Sequence, residues 1–316
     1  MELSLQWARA LEGNIDTWLH NGFKAHGDVS AMILNIESND GWSRIQESFG
    51  PRLVSKSGEA KRTSFADRIL GYETVAGNQI FKEGIAVSEE FVRRGKYGDI
   101  KKQAQDLGKA TIETINLFGA GLFTSTWTSA YQFYGDNKPL SSTSHTRPDG
   151  GTAISNASAT SIPLIEANLD IGRVAIKQQK AGNGAKIAGG AGNIQLVVPE
   201  ELEKEAVIIT GSTRRSGTAN NDLNYYFGRY DVFVHPFIGS DVTDLNGVTG
   251  TDTGWHLMAR GEHGLTMSYE LRPRYDMWDD KDADVMYTKV KWSAWVGWTT
   301  WLGTWHSKGD TSAYSS

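Results

Sequence analysis

Residues 97–123 read YGDIKKQAQDLGKATIETINLFGAGLF, the most regular helical pattern in the 316-residue chain. Asp99 stands at the start, where an acidic side chain can cap a helix, and Gly119 and Gly121 are expected to stop it. Small and apolar residues recur every three or four positions in one narrow stripe: Ile100, Ala104, Leu107, Thr111, Thr114 and Phe118. We therefore expect a long helix over about 97–120 with a single buried face.

A second amphipathic pattern lies in residues 1–40. Trp7, Leu11, Ile15 and Trp18 recur at helical spacing and give one apolar stripe. A stripe of this kind must be buried, either on its own domain or on a neighbour. We expect an N-terminal helical arm.

Residues 41–91 are thin in large apolar residues and rich in charge. Alternation from Tyr72 to Ile85 in their second half predicts a long two-stranded ribbon. An isolated hairpin is marginally stable in water, so we expect the ribbon to dock on another chain, with docking on its own domain as the alternative. The first half of the segment is basic: Arg52, Lys56, Lys61, Arg62 and Arg68.

Downstream, helices and strands are mixed without a regular βαβ alternation. A helix is expected to begin near Ser161 and Pro163. Its predicted buried stripe is Ile165, Leu169, Gly172 and Ile176. A short acidic helix, EELEKEA, precedes the separate apolar run VIIT. The expected strands are IQLVVP (194–199), YDVFVHPFI (230–238), GWHLMA (254–259) and pieces of 284–309. The pattern favours the α+β class.

Composition excludes several classes of protein. The formal net charge is −5, so no overall basic field indicates nucleic-acid recognition, although a protein that only encloses nucleic acid needs none. The chain has no cysteine, which excludes disulfides, thiolate metal sites and cysteine nucleophiles. Nowhere do about 18 apolar residues run uninterrupted, so no transmembrane helix is expected.

The loop GDNKPLSSTSHTRPDGGTAISN, residues 135–156, places His145 among hydroxyls with Asp136 and Asp149 nearby. A nucleophile relay needs these three residue types in contact, yet the chain has no G-x-S-x-G elbow. Neither H-E-x-x-H nor H-x-H occurs, and the spacing of His256 and His263 fits no common metal signature. We expect structural histidines, no catalytic residue, no metal and no cofactor.

Two further patterns leave alternatives open. The loop with Asp241, Asp244, Asn246 and Asp252 lacks EF-hand spacing, so a solvated turn is expected and calcium is the alternative. Five tryptophans crowd the C-terminal segment, where alternation along a strand places neighbours on opposite faces. Burial or a subunit contact is expected, and sugar binding is the alternative. These residues are Trp292, Trp295, Trp298, Trp301 and Trp305.

Four stretches in this order resemble the major capsid proteins of tailed phages, with their Hong Kong 97-like (HK97-like) fold, and within them the Mu-like major head subunit family. The first two are YETVAGNQIFKEGIAVSEEFV (72–92), similar to the returning strand of the extended loop, and YGDIKKQAQDLGKATIETINLFGAGL (97–122), similar to the spine helix. The other two are DNKPLSSTSHTRPDGGTAISN (136–156) and IQLVVPEELEKEAVIIT (194–210). The resemblance covers roughly residues 45–305.

The resemblance implies an α+β chain in five parts. These are an N-terminal arm (1–40), an extended loop (41–91), a peripheral domain (92–165) with the spine helix at about 97–120, an axial domain (166–281) and C-terminal strands returning to the peripheral domain (282–316). The five basic residues from Arg52 to Arg68 would then contact an adjacent subunit.

The resemblance also implies a structural protein of the virion rather than an enzyme. Copies would form hexameric and pentameric capsomers of an icosahedral shell, assembled in the host bacterial cytoplasm around double-stranded DNA that is not bound sequence-specifically. Some family members carry a removable scaffolding segment ahead of the arm; none is evident here, so we expect a separate scaffolding protein. A portal and cement or decoration proteins are further implied partners, and no membrane is. An encapsulin-like compartment and a Trp-rich carbohydrate-binding protein are the alternatives.

Overall fold

The computed structural model describes residues 2–25, 27–41, 43–48, 70–128, 135–148, 150–182, 184–187, 193–214 and 222–313, with residues 56, 59, 62–63, 65 and 67. The helices are α1 (Glu2–Ala25), α2 (Val29–Ile33), α3 (Glu89–Arg93), α4 (Tyr97–Thr124), α5 (Glu166–Gln178) and α6 (Glu203–Gly211), the last preceded by a 3-10 turn (Glu200–Leu202). The strands are β1 (Asn35–Ser38), β2 (Ser43–Ser48), β3 (Leu70–Ala76), β4 (Gln79–Ser88), β5 (Ile194–Val198), β6 (Tyr230–Val234), β7 (Trp255–Ala259), β8 (Leu265–Asp280), β9 (Val285–Trp298) and β10 (Thr304–Ser307).

The chain divides into two compact units. The first comprises Met1–Ser43, Gly77–Gly119 and Met267–Val296, and the second comprises Arg44–Ala76, Ala120–Thr266 and Gly297–Ser316. Among the described residues, no helix has both the length and the apolar character needed to cross a membrane.

The first unit is built on a four-stranded sheet in the order β1-β8-β9-β4. Strand β4 pairs antiparallel with β9 along its whole length, from Gln79 opposite Ala294 to Ser88 opposite Val285. The prediction that the second half of 41–91 belongs to a ribbon is therefore wrong beyond Ala76. Strand β3, and not β4, pairs with β2 in a two-stranded sheet.

The N-terminal stripe is buried within this first unit. Leu11 and Ile15 of α1 share a core cluster with Ile100 and Ala104 of α4. Helices α1 and α4 approach closely where Gly22 of α1 lies against the backbone of α4. A Cβ on Gly22 would stand 2.3 Å from the carbonyl oxygen of Gln105. Of the two alternatives for the N-terminal stripe, burial on its own domain or on a neighbour, the structure shows burial on its own unit. The side chain of Trp7 lies outside the described residues.

Helix α4 confirms the predicted helix, with two corrections. It begins at Tyr97, so Asp99 lies in its first turn and is not the N-cap. There its negative charge interacts favourably with the helix dipole. Gly119 does not stop the helix, which continues to Thr124. Instead, a Cβ on Gly119 would stand 2.1 Å from Ser30 Oγ, so glycine is required by the close approach of α2.

The side chain of Asn116, on α4, caps the short helix α2. Its Oδ1 accepts hydrogen bonds from the backbone N–H of Val29 (2.9 Å) and Ser30 (3.4 Å). Its Nδ2 donates to the carbonyl oxygen of Gly27 at 3.0 Å. A five-residue helix leaves most of its end groups unpaired, and Asn116 adds to the local cap, in which Asp28 Oδ1 accepts from Ala31 N–H at 2.9 Å.

The second unit is built on a sheet in the order β10-β7-β5-β6. Strand β5 pairs parallel with β6 and antiparallel with β7, and every residue of β5 is buried. Helix α5 packs on this sheet through Leu169 and Ile176, while Gly172 leaves room for Leu257 and Trp305. The predicted stripe is confirmed at these positions, but Ile165 is about half exposed at the helix start.

Helix α6 differs from the sequence prediction. The acidic stretch and the run VIIT form one continuous structure, the 3-10 turn followed by α6. Ala206 and Ile209 face the core, whereas Val207 and Ile208 are 51% and 38% exposed. The run VIIT (207–210) is therefore helical, with Ile209 and Thr210 buried and Val207 and Ile208 exposed.

Candidate assembly interface

The ribbon β2–β3 leads to the segment that carries the predicted basic residues. Of these, Lys56 and Arg62 are exposed, while Arg52, Lys61 and Arg68 lie outside the described residues. Phe65, which lies between Arg62 and Arg68 in the sequence, is 95% exposed. An exposed phenylalanine in a segment of basic sequence suits a contact with another protein surface.

Strand β3 has one buried and one open face. Thr74 and Ala76 are fully buried, whereas Leu70 and Val75 are 57% and 43% exposed. Tyr72 lies against Gly135, where a Cβ would stand 2.9 Å from the tyrosine ring. Thr74 and Ala76 therefore anchor one face of the ribbon in the second unit, while Val75 is exposed on the opposite face and Leu70 is exposed at the start of the strand.

An aromatic cleft lies between α4 and the sheet of the first unit. Phe81 stacks on Trp292 with ring centroids 4.1 Å apart, and Phe118 meets Phe81 edge-on at 5.2 Å. The cleft has a volume of about 280 Å³. Its lining is Phe81, Lys82, Glu83, Leu107, Ala110, Thr111, Thr114, Val290 and Trp292. Polar groups at its rim and aromatic rings within suit an apolar anchor.

A second groove of about 410 Å³ lies on the same sheet and is lined by residues of β4, β8 and β9. Trp278 lines it at 46% exposure, stacks on Tyr287 and has Lys289 Nζ 5.0 Å from its ring. An exposed tryptophan is the residue type most enriched at interface hot spots. The sequence analysis did not single out Trp278, although the charged residues around it, in YDMWDDKD (275–282), are a signal of exposure.

His145 is fully buried and structural. Its Nδ1 lies 2.6 Å from Asp136 Oδ2, and its Nε2 lies 3.2 Å from both Leu140 O and Asn156 Oδ1. The ring also stacks on Trp301, with centroids 4.4 Å apart. No hydroxyl is hydrogen-bonded to the ring among the contacts of the described residues, so this arrangement holds a loop rather than activating a nucleophile. Asp149 lies outside the described residues.

Three further histidines, His235, His256 and His306, are buried in the second unit. His256 faces His306, with the two Nδ1 atoms 3.0 Å apart, rather than His263. Burial lowers the pKa of His235 and of His256 to about 3, with the charge of His235 a smaller cause for His256. Burial, and then the charges of His256 and His145, hold the pKa of His306 well below its ordinary value. All three rings are therefore neutral at physiological pH.

The acidic loop uses its carboxylates to hold its own backbone. Asp244 accepts from Thr124 Oγ1 (2.7 Å), Ser125 Oγ (3.2 Å) and the N–H groups of Asn246 and Val248. Asp252 accepts from Ser240, which lowers the pKa of its carboxyl. Within the described part of the chain, no three His, Cys, Asp or Glu side chains are arranged to hold a metal ion.

The five C-terminal tryptophans are buried, with exposures of 4% or less. Trp292, Trp295 and Trp298 lie on β9, and Trp305 lies on β10. The prediction of burial is confirmed. These rings offer no open face on which a sugar could stack, so the carbohydrate-binding alternative loses the feature on which it rested.

The comparisons with known proteins agree with one another. A family model described as "Phage capsid protein" matches residues 78–305. The capsid of Ralstonia phage GP4 has a TM-score of 0.52 at 12% identity, covering 84% of this chain and 82% of its own. The Mycobacterium phage Patience structure gives 0.52 at 11% identity, with 98% and 89% covered. The head structure of Helicobacter pylori bacteriophage KHP40 gives 0.51 at 8% identity, with 89% and 86% covered.

Among curated proteins no significant match was found. The architecture is nevertheless that of the Hong Kong 97-like capsid fold, which confirms the fold expected from the sequence. Because the family model spans well over half of the 316 residues, the chain belongs to the phage capsid protein family.

Proposed function

We propose that this major capsid protein, a component of the virion, assembles into hexameric and pentameric capsomers that close into an icosahedral shell around a phage genome. The family match over residues 78–305 carries the proposal. The exposed apolar side chains of the ribbon and of the Trp278 groove support it, because a monomer gains nothing from exposing them. The encapsulin-like alternative has no comparable support.

The decisive experiment is mass photometry with negative-stain microscopy on the purified chain. Pentamers, hexamers or closed shells are the expected result. A monomer of 34.7 kDa under every condition, including co-expression with neighbouring phage head genes, would overturn the proposal. Shell diameter would then give the number of copies.

Within this function, the five-part organisation is our assignment for the chain: arm 1–40, extended loop 41–91, peripheral domain 92–165, axial domain 166–281 and C-terminal strands 282–316. The ribbon β2–β3 falls inside the proposed extended loop, and α4 supplies the proposed spine helix. The Mu-like head subunits are the proposed subfamily, on the sequence phrases that resemble them.

The basic segment of the extended loop is the proposed contact with an adjacent subunit, through Arg52, Lys56, Lys61, Arg62 and Arg68. Exposed cations add register and association rate more than affinity. Reversing Lys56 and Arg62 to glutamate should therefore slow shell formation and weaken its salt dependence, with Lys281→Glu on the β8–β9 turn as a matched control. Unchanged kinetics in the double variant would remove these two residues from the contact.

The remaining partners follow from the same function. A separate scaffolding protein would direct assembly in the host bacterial cytoplasm, and a portal with cement or decoration proteins would complete the head. Double-stranded DNA would be enclosed without sequence-specific binding, which suits a net charge of −5. The role is structural rather than enzymatic.

A further inference from the structure

An exposed aromatic turn lies at the C-terminal end of α6. Leu223, Tyr225 and Phe227 are 88%, 51% and 50% exposed, although all three are large and apolar or aromatic. Alternating with them, Asn224 is buried. The turn is therefore anchored by the buried Asn224, and its large apolar and aromatic side chains are exposed to solvent.

Hydrogen bonds fix this turn on the helix end. Asn224 Nδ2 donates to the carbonyl oxygens of Ile209 (2.7 Å) and Ser212 (2.8 Å), and its Oδ1 accepts from Tyr226 N–H at 2.9 Å. Gly228 N–H donates to Thr210 O at 3.2 Å. The exposed rings are thus already in position, so a partner would lose little further conformational entropy in binding them.

Two arginines flank the central ring. The guanidinium carbon of Arg229 lies 4.1 Å from the Tyr225 ring centroid, and that of Arg173 lies 5.6 Å away. Arg173 is paired with Asp170, its Nε donating at 2.9 Å. Tyrosine with arginine is the composition of interface hot spots rather than of ordinary surface.

The other end of the same helical element has the opposite charge. Four exposed glutamates and one lysine lie there, for a formal charge of −3: Glu200, Glu201, Glu203, Lys204 and Glu205. At the aromatic end, among the exposed described residues, Arg214 and Arg229 outnumber Asp222, for a charge of +1. Glu205, the last residue of the acidic end, and Gly211, the last residue of α6, are six residues apart, about 9 Å along the helix. Val207 and Ile208 are exposed between them.

We propose that this surface, from Glu200 through Val207 and Ile208 to Tyr225, Phe227 and Arg229, binds a second copy of the chain head to tail. The glutamate end of one subunit contacts the arginine and tyrosine end of the next. The inference rests on the proposed assembly function. One chain carries both halves of a complementary contact on opposite ends of a short helix, which is the arrangement that a heterologous contact needs to close a ring of copies.

Charge reversal at the two ends provides the test. One variant carries Glu200→Lys and Glu203→Lys, so both ends are positive; the other carries Arg214→Glu and Arg229→Glu, so both are negative. Each alone should give about tenfold fewer capsomers than the wild type by mass photometry, because like charges then meet at every contact. An equimolar mixture of the two should recover hexamers, in which unlike subunits can alternate, but not pentamers, because a ring of five must bring two like subunits together.

The matched controls are Lys281→Glu and Asp282→Lys, on the exposed β8–β9 turn, and they should assemble as the wild type does. Circular dichroism and thermal melting establish that every variant is folded. Wild-type assembly with unaffected reversal variants would overturn this contact and leave the proposed function standing. Folded variants that fail singly and also fail when mixed would overturn the self-contact and indicate a different partner. A wild-type chain that never assembles would instead overturn the proposed function.

Discussion

Gly108 of α4 lies directly against the backbone of Leu19 in α1. A Cβ on residue 108 would stand 2.5 Å from the carbonyl oxygen of Leu19 and 3.0 Å from the Cα of Gly22. Since neither obstacle is a side chain that could rotate away, the N-terminal helix can pack here only against glycine.

Gly108→Ala should therefore lower the free energy of unfolding by about 1–3 kcal/mol, because the helices must separate. Gly98→Ala is the matched control: it lies on the same helix with no atom within 4 Å of its Cβ position, so it should be neutral or stabilise by up to about 1 kcal/mol. Urea denaturation measures both. Equal effects at the two positions would contradict the close packing.

Asn116→Ala should cost about 1–2 kcal/mol, because it removes the acceptor for two N–H groups of α2 and a donor to Gly27. Asn116→Asp keeps the acceptor and loses the donor, so it should be intermediate. Hydrogen exchange at Val29 and Ser30 reports the cap directly. Exchange rates that match the wild type in Asn116→Ala would mean that α2 does not depend on this side chain.

Asp136→Asn should destabilise the protein by about 1–3 kcal/mol, since it removes the carboxylate charge and one of the two oxygens that contact His145 Nδ1 and Lys138 N–H. Asp106→Asn, exposed on α4, is the control. A double-mutant cycle with His145→Ala isolates the coupling between the two side chains. Additive effects in that cycle would contradict a direct interaction.

Acid should destabilise the second unit through its buried histidines. The folded-state pKa of His235 and of His256 is lowered to about 3, so the unfolded chain binds more protons below the ordinary value of 6.5. Stability is complete above about pH 6.5 and falls as pH drops toward the folded-state value, by about 2 kcal/mol per histidine at pH 5. Urea titrations between pH 7 and pH 4.5 measure the loss.

His235→Asn is the variant that tests the assignment, because Asn can replace Nδ1 as acceptor for Phe237 N–H. It should reduce the slope of unfolding free energy against pH by about 1.4 kcal/mol per pH unit below pH 6. His20→Asn, on the exposed face of α1, is the matched control. A wild-type slope in His235→Asn would remove His235 as a cause of acid lability.

Periodicity predicted the elements whose burial follows a single face. Ile100, Ala104 and Leu107 belong to such a stripe, and α4 was placed within four residues at its C-terminal end. The end itself was misplaced because Gly119 lies inside the helix and allows the close approach of Ser30, which only the tertiary structure reveals. Local signals cannot separate a glycine that stops a helix from one that permits close packing.

The pairing partners of the strands could not be predicted from the sequence either, because they also depend on the tertiary structure. Strand β4 alternates as a ribbon strand would, yet its partner is β9, about 200 residues away. Strand β8 was missed because its outer half carries Glu270, Arg272, Arg274 and Asp276, with Pro273 among them. The exposed turn around Tyr225 also gave no signal, since exposure depends on the fold and not on spacing.

The distance in sequence between Val29 and Asn116 has a consequence for synthesis. The capping side chain leaves the ribosome 87 residues after the N–H that it receives, a delay of about 4–17 s at ordinary translation rates. During that interval α2 has only its local cap, Asp28, and lacks the hydrogen bonds to Asn116, while α1 lacks the helix on which it packs. The first part of the chain to be made is therefore among the last to reach its final structure, and nascent N-terminal helices of many copies on one polysome are exposed to one another meanwhile.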